Sequence, residues 1–346
     1  GRHPKAVTFT ADLREDLRRR DFTINAMAYN EETGLVDLFG GLADLEAGVI
    51  RCVGDAAERF TEDALRMMRA VRFSAQLGFA IERETKAAIR ALAPGIRQVS
   101  AERIQAELIK LVTAPHPDYL RTAWECGITA QVFPEFDRAM EMPQHHPHHS
   151  YCVGEHILRS MAAVEADKVL RLTMLFHDLG KPAVHTTDAA GIDHFKGHAA
   201  VSRDIAEAVM NRLKFDNATK DRVTKLVSCH DCHIPETPRG VRRAAAKIGP
   251  ALMPLLFSVK RADIAAQSGY QEAEKLEAVA EIERIYREII MQNQCLTLKD
   301  LAVSGRDLIA AGMQPGKAMG ETLNRLLELV LENPEYNTKE YLLTQI

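Results

Sequence analysis

The 346-residue sequence lacks the features of exported and membrane-bound proteins. Of its six cysteines, only Cys229 and Cys232 are close together, which favours reduced thiols over a disulfide scaffold. No apolar run is long enough to cross a membrane, and the N-terminus lacks the charged and apolar regions of a secretory signal. We therefore expect a cytoplasmic protein with no membrane partner.

An excess of basic residues is also absent, since 44 Lys and Arg stand against 48 Asp and Glu, a net charge of −4. Any contact with RNA must then come from local patches, of which residues 14–20, 66–72 and 239–243 are the candidates. The hydrophobic content of 46% is ordinary for a globular chain of two or three domains. The single tryptophan, Trp124, is expected in the core.

Apolar periodicity predicts a short mixed region followed by helices. The strand candidates are residues 6–9, 26–29 and 35–39. The predicted helices cover residues 54–78, 82–93, 100–112 (with Ser100 as N-cap), 119–133, 273–291, 298–313 and 317–331.

One predicted helical stretch, residues 59–73, places polar side chains at every third position. Cytosine and adenine both present an amino donor beside a ring-nitrogen acceptor, whereas guanine and uracil present the reverse order. Asp63 accepting from the amino group and Arg66 donating to the ring nitrogen would select C and A without a nucleic-acid template.

The neighbours of this pair have predicted roles too. Glu62 is placed to hold Arg66, and Arg69 and Arg72 are placed to meet phosphates. The alternative is a solvated charged face with ordinary salt bridges.

The segment RRRDFTINAMAY at residues 18–29, the EDALR run at 62–66 and the RAVRF run at 69–73 resemble the tRNA nucleotidyltransferase and poly(A) polymerase family, specifically its bacterial CCA-adding type. The resemblance covers nearly the whole chain. It implies Arg20 on phosphate, Asp21 on the ribose 2′-hydroxyl, and the Asp63–Arg66 pair on the base edge. By itself, the RRRD run would be read as a basic surface cluster.

The resemblance implies a mainly α fold: a remnant of an α/β nucleotidyltransferase head (residues 1–45), a helical neck that binds nucleotide and RNA (46–140), an HD domain (141–270) and a helical, tRNA-binding tail (271–346). The implied reaction transfers CMP and AMP from CTP and ATP to the tRNA 3′ end, with Mg²⁺. Poly(A) polymerase or partial CCA addition is the alternative. The oligomeric state stays open.

In that family an Asp-x-Asp pair holds the catalytic metals upstream of the RRD motif. No such pair precedes Arg20 here, and the chain begins with Gly1 rather than Met. We therefore expect a truncated chain that does not itself add nucleotides.

A second set of residues resembles the HD phosphohydrolase superfamily: His156, then His177 and Asp178, then Asp263. Histidine and carboxylate ligands suit Mn²⁺, Ni²⁺, Mg²⁺ or Zn²⁺, and a bound metal can supply hydroxide to a phosphoester. His198 and His230 are candidates for a second metal position. Asp178 and Lys181 are the catalytic candidates, with Lys181 on phosphate.

In long bacterial CCA-adding enzymes the HD domain is implied to act on 2′-phosphates or 2′,3′-cyclic phosphates. The alternatives are a stand-alone HD phosphohydrolase whose head merely binds RNA, a non-enzymatic tRNA-binding protein, and purely structural histidines. A histidine-rich loop at residues 144–149 is read as solvated, with His149 near a substrate. The sequence CHDCH at 229–233 formally matches a haem-attachment motif, which belongs to exported proteins and is rejected.

Overall fold

The computed structural model describes residues 12–145 and 150–346, so the strand candidate at 6–9 and His149 lie outside the described residues. Tertiary contacts divide the chain into two compact units, which meet between Val227 and Ser228 in sequence and are described separately. The described part is mainly helical, with short two-stranded pairings, which confirms the predicted fold class. The domain boundaries predicted at 45, 140 and 270 stay predictions.

In the described part of the first unit, the strands form three pairs. Strands β1 (Met27–Asn30) and β2 (Gly34–Asp37) form an antiparallel hairpin in which Tyr29 pairs with Leu35. They overlap the strand candidates at 26–29 and 35–39. Strand β3 (Val49–Ile50) pairs in parallel with β4 (Ala80–Ile81). Strand β5 (Thr186–Thr187) pairs in antiparallel orientation with β6 (Asp193–His194), and each of these four strands is two residues long.

Helices make up most of the first unit. They are α1 (Leu13–Arg18), α2 (Gly41–Ala47), α3 (Ala56–Glu62), α4 (Leu65–Leu77), α5 (Arg83–Leu92), α6 (Ala101–Val112), α7 (Leu120–Glu125), α8 (Thr129–Val132), α9 (Glu135–Glu141), α10 (Val153–Ala163), α11 (Lys168–Phe176), α12 (Lys181–Val184), α13 (His198–Arg212) and α14 (Asn217–Cys229), whose last residues belong to the second unit. Helices α4 and α6 pack together, and Val71 and Leu108 are buried on them.

Two long predicted helices are broken in the structure. The stretch 54–78 splits into α3 and α4 at Asp63, and 119–133 splits into α7 and α8 near Gly127, whose φ of 75° ends the first helix. Trp124 is half-buried rather than core. Helices α5 and α6 confirm the predictions at 82–93 and 100–112, with Ser100 at the N-cap position.

The second unit is helical in its described elements, α15 (Pro238–Ile248), α16 (Met253–Ala265), α17 (Glu272–Met291), α18 (Gly305–Ala310), α19 (Lys317–Glu332) and α20 (Lys339–Leu343). Helices α17 and α19 confirm the predictions at 273–291 and 317–331. The helix predicted at 298–313 is wrong, because Ser304 and Asp307 form a capping box that starts α18 only at Gly305. No helix in the described ranges combines the length and apolarity needed to cross a membrane.

The arginines of the basic patch predicted at 239–243 lie on α15 and differ in exposure. Arg239 and Arg243 pair with Glu332. Arg242 is 5% exposed and donates to the carbonyls of Leu331 (2.8 Å) and Glu332 (2.9 Å), which would otherwise lack partners at the end of α19. Arg242 therefore stabilises the end of α19, and the contact of residues 239–243 with RNA stays a prediction.

Candidate nucleotide pocket and candidate metal centre

Asp63 lies in a turn between two helices and not on the helical stripe that the sequence predicts. Its backbone is extended (φ −147°, ψ 100°), and α3 ends before it. Its Oδ1 accepts from the backbone N–H of Leu65 at 3.2 Å, a local bond that competes with continuous helix. The carboxylate is thus held at the beginning of α4, one helical turn before Arg66.

Arg66 is held by three acceptors. Its Nη1 donates to Glu62 Oε2 at 2.7 Å and to the carbonyl of Arg59 at 3.1 Å, and its Nη2 donates to the carbonyl of Arg19 at 2.9 Å. The structure contains the contact between Glu62 and Arg66 that the sequence predicts. The role of this pair in base reading stays a prediction.

Arg103 of α6 is a pocket residue that sequence reasoning missed. Its Nη2 lies 2.6 Å from Asp63 Oδ2. Burial alone would raise the pKa of Asp63, but the bonds from Arg103 and Leu65 and the charges of Arg103 and Arg66 outweigh it and lower that pKa. Asp63 is therefore held as an ionised acceptor, the form that a base amino group requires.

Asp21 and Arg69 contact each other. Arg69 Nε and Nη2 lie 2.7 and 2.6 Å from Asp21 Oδ2, while Asp21 Oδ1 accepts from the Phe22 N–H at 3.0 Å and from Asn25 at 3.2 Å. Asp21, which is predicted to bind the ribose, thus positions Arg69, which is predicted to contact phosphate. Asp21 is only 8% exposed, so its orientation is fixed before any ligand binds.

Two other predicted phosphate contacts are not placed in the pocket. Arg72 is 7% exposed, lies 2.6 Å from Glu107 and stacks on Phe73. Burial lowers the pKa of Arg72, against the opposing charge of Glu107. Arg20 is half-exposed and pairs with Asp16 at 3.4 Å. Arg72 therefore contacts Glu107, a residue that lines the pocket, without lining the pocket itself. Arg20 does not line the pocket either.

These side chains surround a cavity of about 490 Å³, a volume in the usual range for small-molecule sites. Its lining residues are Asp21, Asp63, Leu65, Arg66, Arg69, Arg103, Ala106, Glu107 and Lys110. Four of them come from one face of α6, which carries no nucleotide-binding motif in the sequence. The spacing 103, 106, 107 and 110 places these residues on one face of a helix. The packing of α6 against α4 brings that face to the cavity.

The HD residues of the first unit form a compact buried cluster. His156 Nε2 lies 3.2 Å from His177 Nε2, and both lie 3.5 Å from Asp178 Oδ2. His177 Nδ1 lies 2.7 Å from the Met174 carbonyl, which fixes the ring with Nε2 towards the carboxylate. Facing imidazole nitrogens beside a carboxylate fit a cation, so these three residues suit a metal ion.

His198 and Lys181 flank the same carboxylate. His198 Nε2 lies 3.3 Å from Asp178 Oδ1, and Lys181 Nζ lies 2.7 Å from Asp178 Oδ2 and 2.9 Å from Gln144 Oε1. Lys181 thus contacts the carboxylate, and its predicted phosphate contact stays a prediction. His230 and Asp263 belong to the second unit, and their predicted part in the metal site stays a prediction.

Gly180 brings the two halves of this cluster together. A Cβ at this position would lie 2.5 Å from the His198 carbonyl oxygen and 2.6 Å from the Ser202 nitrogen. Its N–H donates to Ser202 Oγ at 2.8 Å. Only glycine permits this approach of the turn after Asp178 to α13.

Family models match three parts of the chain. Residues 1–51 match the poly A polymerase head domain, residues 78–140 the probable RNA and SrmB-binding site of polymerase A, and residues 194–346 the putative tRNA nucleotidyltransferase domain 2.

Relatives and solved structures agree with these models. The CCA-adding enzyme of Lactobacillus helveticus is 32% identical across 99% of this chain and 74% of its own length. The crystal structure of the Bacillus stearothermophilus CCA-adding enzyme in complex with CTP is 28% identical, with a TM-score of 0.68 over 98% of this chain and 74% of that one. The Thermotoga maritima CCA-adding enzyme with tRNA, at 21% identity and a TM-score of 0.54 over 96% of this chain and 73% of that one, shares the fold. The chain belongs to the CCA-adding enzyme family.

Proposed function

We propose that the protein adds CMP and AMP, from CTP and ATP, to the 3′ end of tRNA. The roles proposed for individual residues rest on one observation: Asp63, Arg66, Asp21 and Arg69 line the same cavity. Asp63 accepts from the amino group of C or A, and Arg66 donates to the ring nitrogen. Asp21 binds the ribose 2′-hydroxyl, and Arg69 reaches phosphate once a nucleotide enters.

The same pair excludes the other two bases. Guanine and uracil present a carbonyl oxygen to the Asp63 carboxylate and an N–H to the Arg66 guanidinium, so both contacts become repulsive. Glu62 and Arg19 restrict rotation of Arg66, which keeps the pattern fixed without a template strand.

Nucleotide binding to the chain tests this proposal. We expect tighter binding of CTP and ATP than of UTP and GTP, and Asp63→Ala should reduce that preference more than it weakens tRNA binding. Asp204→Ala, which removes an exposed carboxylate paired with Arg203, is the matched control. An Asp63→Ala chain with unchanged base preference contradicts the assignment.

The extent of addition distinguishes related activities. Because no Asp-x-Asp pair precedes Arg20, this assay uses the chain joined to the Asp-x-Asp segment of a relative. Extension of tRNA lacking its 3′ end should then stop after C, C and A. Repeated addition of A would favour a poly(A) polymerase, and a shorter product would favour partial CCA addition. The transfer is expected to need Mg²⁺, as phosphoryl transfer generally does.

A second activity is favoured by the buried cluster of His156, His177 and Asp178. We infer that it binds a divalent transition metal such as Mn²⁺ or Ni²⁺ and hydrolyses 2′-phosphates or 2′,3′-cyclic phosphates. A bound metal would lower the pKa of its water and so supply hydroxide. His156, His177 and Asp178 would hold that ion in a buried site, with His177 oriented by a backbone carbonyl and Asp178 by Lys181.

Hydrolysis of 2′,3′-cyclic AMP with added Ni²⁺ or Mn²⁺ tests this second activity. Asp178→Ala should abolish both hydrolysis and metal retention, while Asp204→Ala should change neither. Metal bound without hydrolysis would leave a structural metal, and the absence of binding would remove the metal centre from the proposal.

A further inference from the structure

The second unit contains a pair of cysteines that neither candidate site uses. Helix α14 ends at Cys229, and the backbone N–H of Cys232 donates to the Cys229 carbonyl at 3.1 Å. The two residues are thus the ends of a hydrogen-bonded turn with His230 and Asp231 at its centre. The thiol of Cys232 lies within hydrogen-bonding reach of Cys229.

The spacing of this turn is compatible with a disulfide. The ends of a β-turn lie less than about 7 Å apart between Cα atoms, and disulfides span roughly 4.4 to 6.8 Å. The spacing of the turn therefore allows a bond between the two sulfurs.

Lys260 of α16 holds the turn in place. Its Nζ donates to the carbonyls of His230 at 3.0 Å and of Cys232 at 2.7 Å. The contact with Cys229 and burial raise the pKa of the Cys232 thiol, against the charge of Lys260. A reaction between the two thiols therefore depends on the geometry of the turn, which holds them next to each other. Cys232 is partly exposed and Cys229 is 8% exposed, whereas Cys52, Cys126 and Cys295 are 2–3% exposed and far apart in sequence.

We propose that Cys229 and Cys232 form a reversible redox site, in which a peroxide oxidises the two thiols to an intramolecular disulfide. One sulfur attacks a peroxide oxygen, so the O–O bond breaks and a sulfenic acid forms while the first water leaves. The second sulfur then attacks the sulfenic sulfur, so the S–O bond breaks, the S–S bond forms and a second water leaves. Two sulfurs lose two electrons in total, and the peroxide gains them.

The ring closed by this bond is too small to stabilise the fold much by restricting the unfolded chain. Its effect is local, because it locks the backbone that carries His230. A dithiol reductant reverses the step by thiol exchange and restores both cysteines.

Exposure of the folded chain to hydrogen peroxide in the presence of a chelator tests the site. After quenching, the chain should have lost two of its six thiols, and dithiothreitol should restore both. Tryptic cleavage yields a peptide of residues 226–239 that contains both cysteines, and this peptide should be lighter by two hydrogen atoms.

Serine variants complete the test. Cys229→Ser and Cys232→Ser should each form no disulfide in this peptide, while Cys126→Ser and Cys295→Ser should form it as the parent does. The proposal is overturned if the peptide keeps both thiols, if the disulfide forms only in the unfolded chain, or if both sulfurs advance to sulfinic acids without pairing.

Discussion

Arg103 of α6 donates a hydrogen bond to Asp63 across 2.6 Å, although 40 residues separate them in sequence. The carboxylate predicted to read the base is therefore clamped between the end of α3 and a helix from another part of the chain. This clamp gives the pocket a charge pattern before nucleotide binds.

The clamp predicts a pH effect. Because the folded pKa of Asp63 is lowered, its contribution to stability is present above the unfolded pKa, about 3.9, and is lost as pH falls through the folded pKa. Arg103→Ala removes the strongest contact that lowers this pKa, so the pKa should rise. CTP affinity should then begin to fall at a higher pH than in the parent chain. Carboxyl NMR of Asp63 and CTP titrations across pH measure both effects.

Arg97→Ala removes an exposed arginine shortly before α6 that does not line the cavity, and it should leave both profiles unchanged. Equal acid profiles for Arg103→Ala and the parent chain would contradict the clamp.

Asp21→Ala should narrow the preference for ribonucleotides over deoxynucleotides. Loss of one bond between a carboxylate and the 2′-hydroxyl is expected to reduce the ratio of CTP to dCTP affinity about tenfold, or ~1.4 kcal/mol. Arg69 loses its partner in this variant, so phosphate binding changes for both nucleotides and cancels in the ratio. Asp16→Ala, which removes the partner of Arg20, is the control. An unaltered ratio would remove Asp21 from the ribose site.

The buried ion pair of Arg72 and Glu107 should stabilise the fold, and removing either partner should lower the free energy of unfolding. Arg72→Met leaves Glu107, which is 4% exposed, without its guanidinium, and Glu107→Leu does the converse. Glu107→Leu should lower the free energy of unfolding by about 3 to 5 kcal/mol. Arg72→Met should lower it by less than this, because Lys110 still lies 3.3 Å from Glu107. The double variant should lose less than either, because no unpaired buried charge remains. Urea unfolding of the four chains measures this coupling, and additive losses would argue against it.

Gly180→Ala should weaken the metal centre and the first unit together. The added methyl meets the His198 carbonyl, so the turn after Asp178 must move, at a cost of about 1 to 3 kcal/mol. Gly320→Ala is the matched control, and it should stabilise the fold. Gly320 lies at an exposed position of α19 with nothing near its added methyl, and alanine favours helix over glycine by roughly 0.5 to 1 kcal/mol. Thermal unfolding and Mn²⁺ titration report the two effects. If the Gly180→Ala chain binds Mn²⁺ as tightly as the parent chain, the close approach of the turn after Asp178 to α13 is not needed for the metal centre.

Local sequence determined much of the helical framework and the chemistry available to it. Apolar periodicity was sufficient for α5, α6, α17 and α19, because each buries one face and begins or ends where the pattern does. The family motifs marked Asp21, Asp63 and Arg66, which line one cavity, and His156, His177 and Asp178, which converge in one cluster.

Tertiary structure decided which of these charged groups face a ligand and which face each other. Asp63 leaves the helical stripe because its carboxylate caps the next helix, and Arg72 leaves the pocket because Glu107 of α6 binds it in the interior. Helical spacing fixes the direction of a side chain from its own axis, but its partner depends on which element packs there. The contributions of Arg103, Glu107 and Lys110 to the cavity therefore follow from the packing of α6 against α4, a long-range contact that local periodicity does not encode.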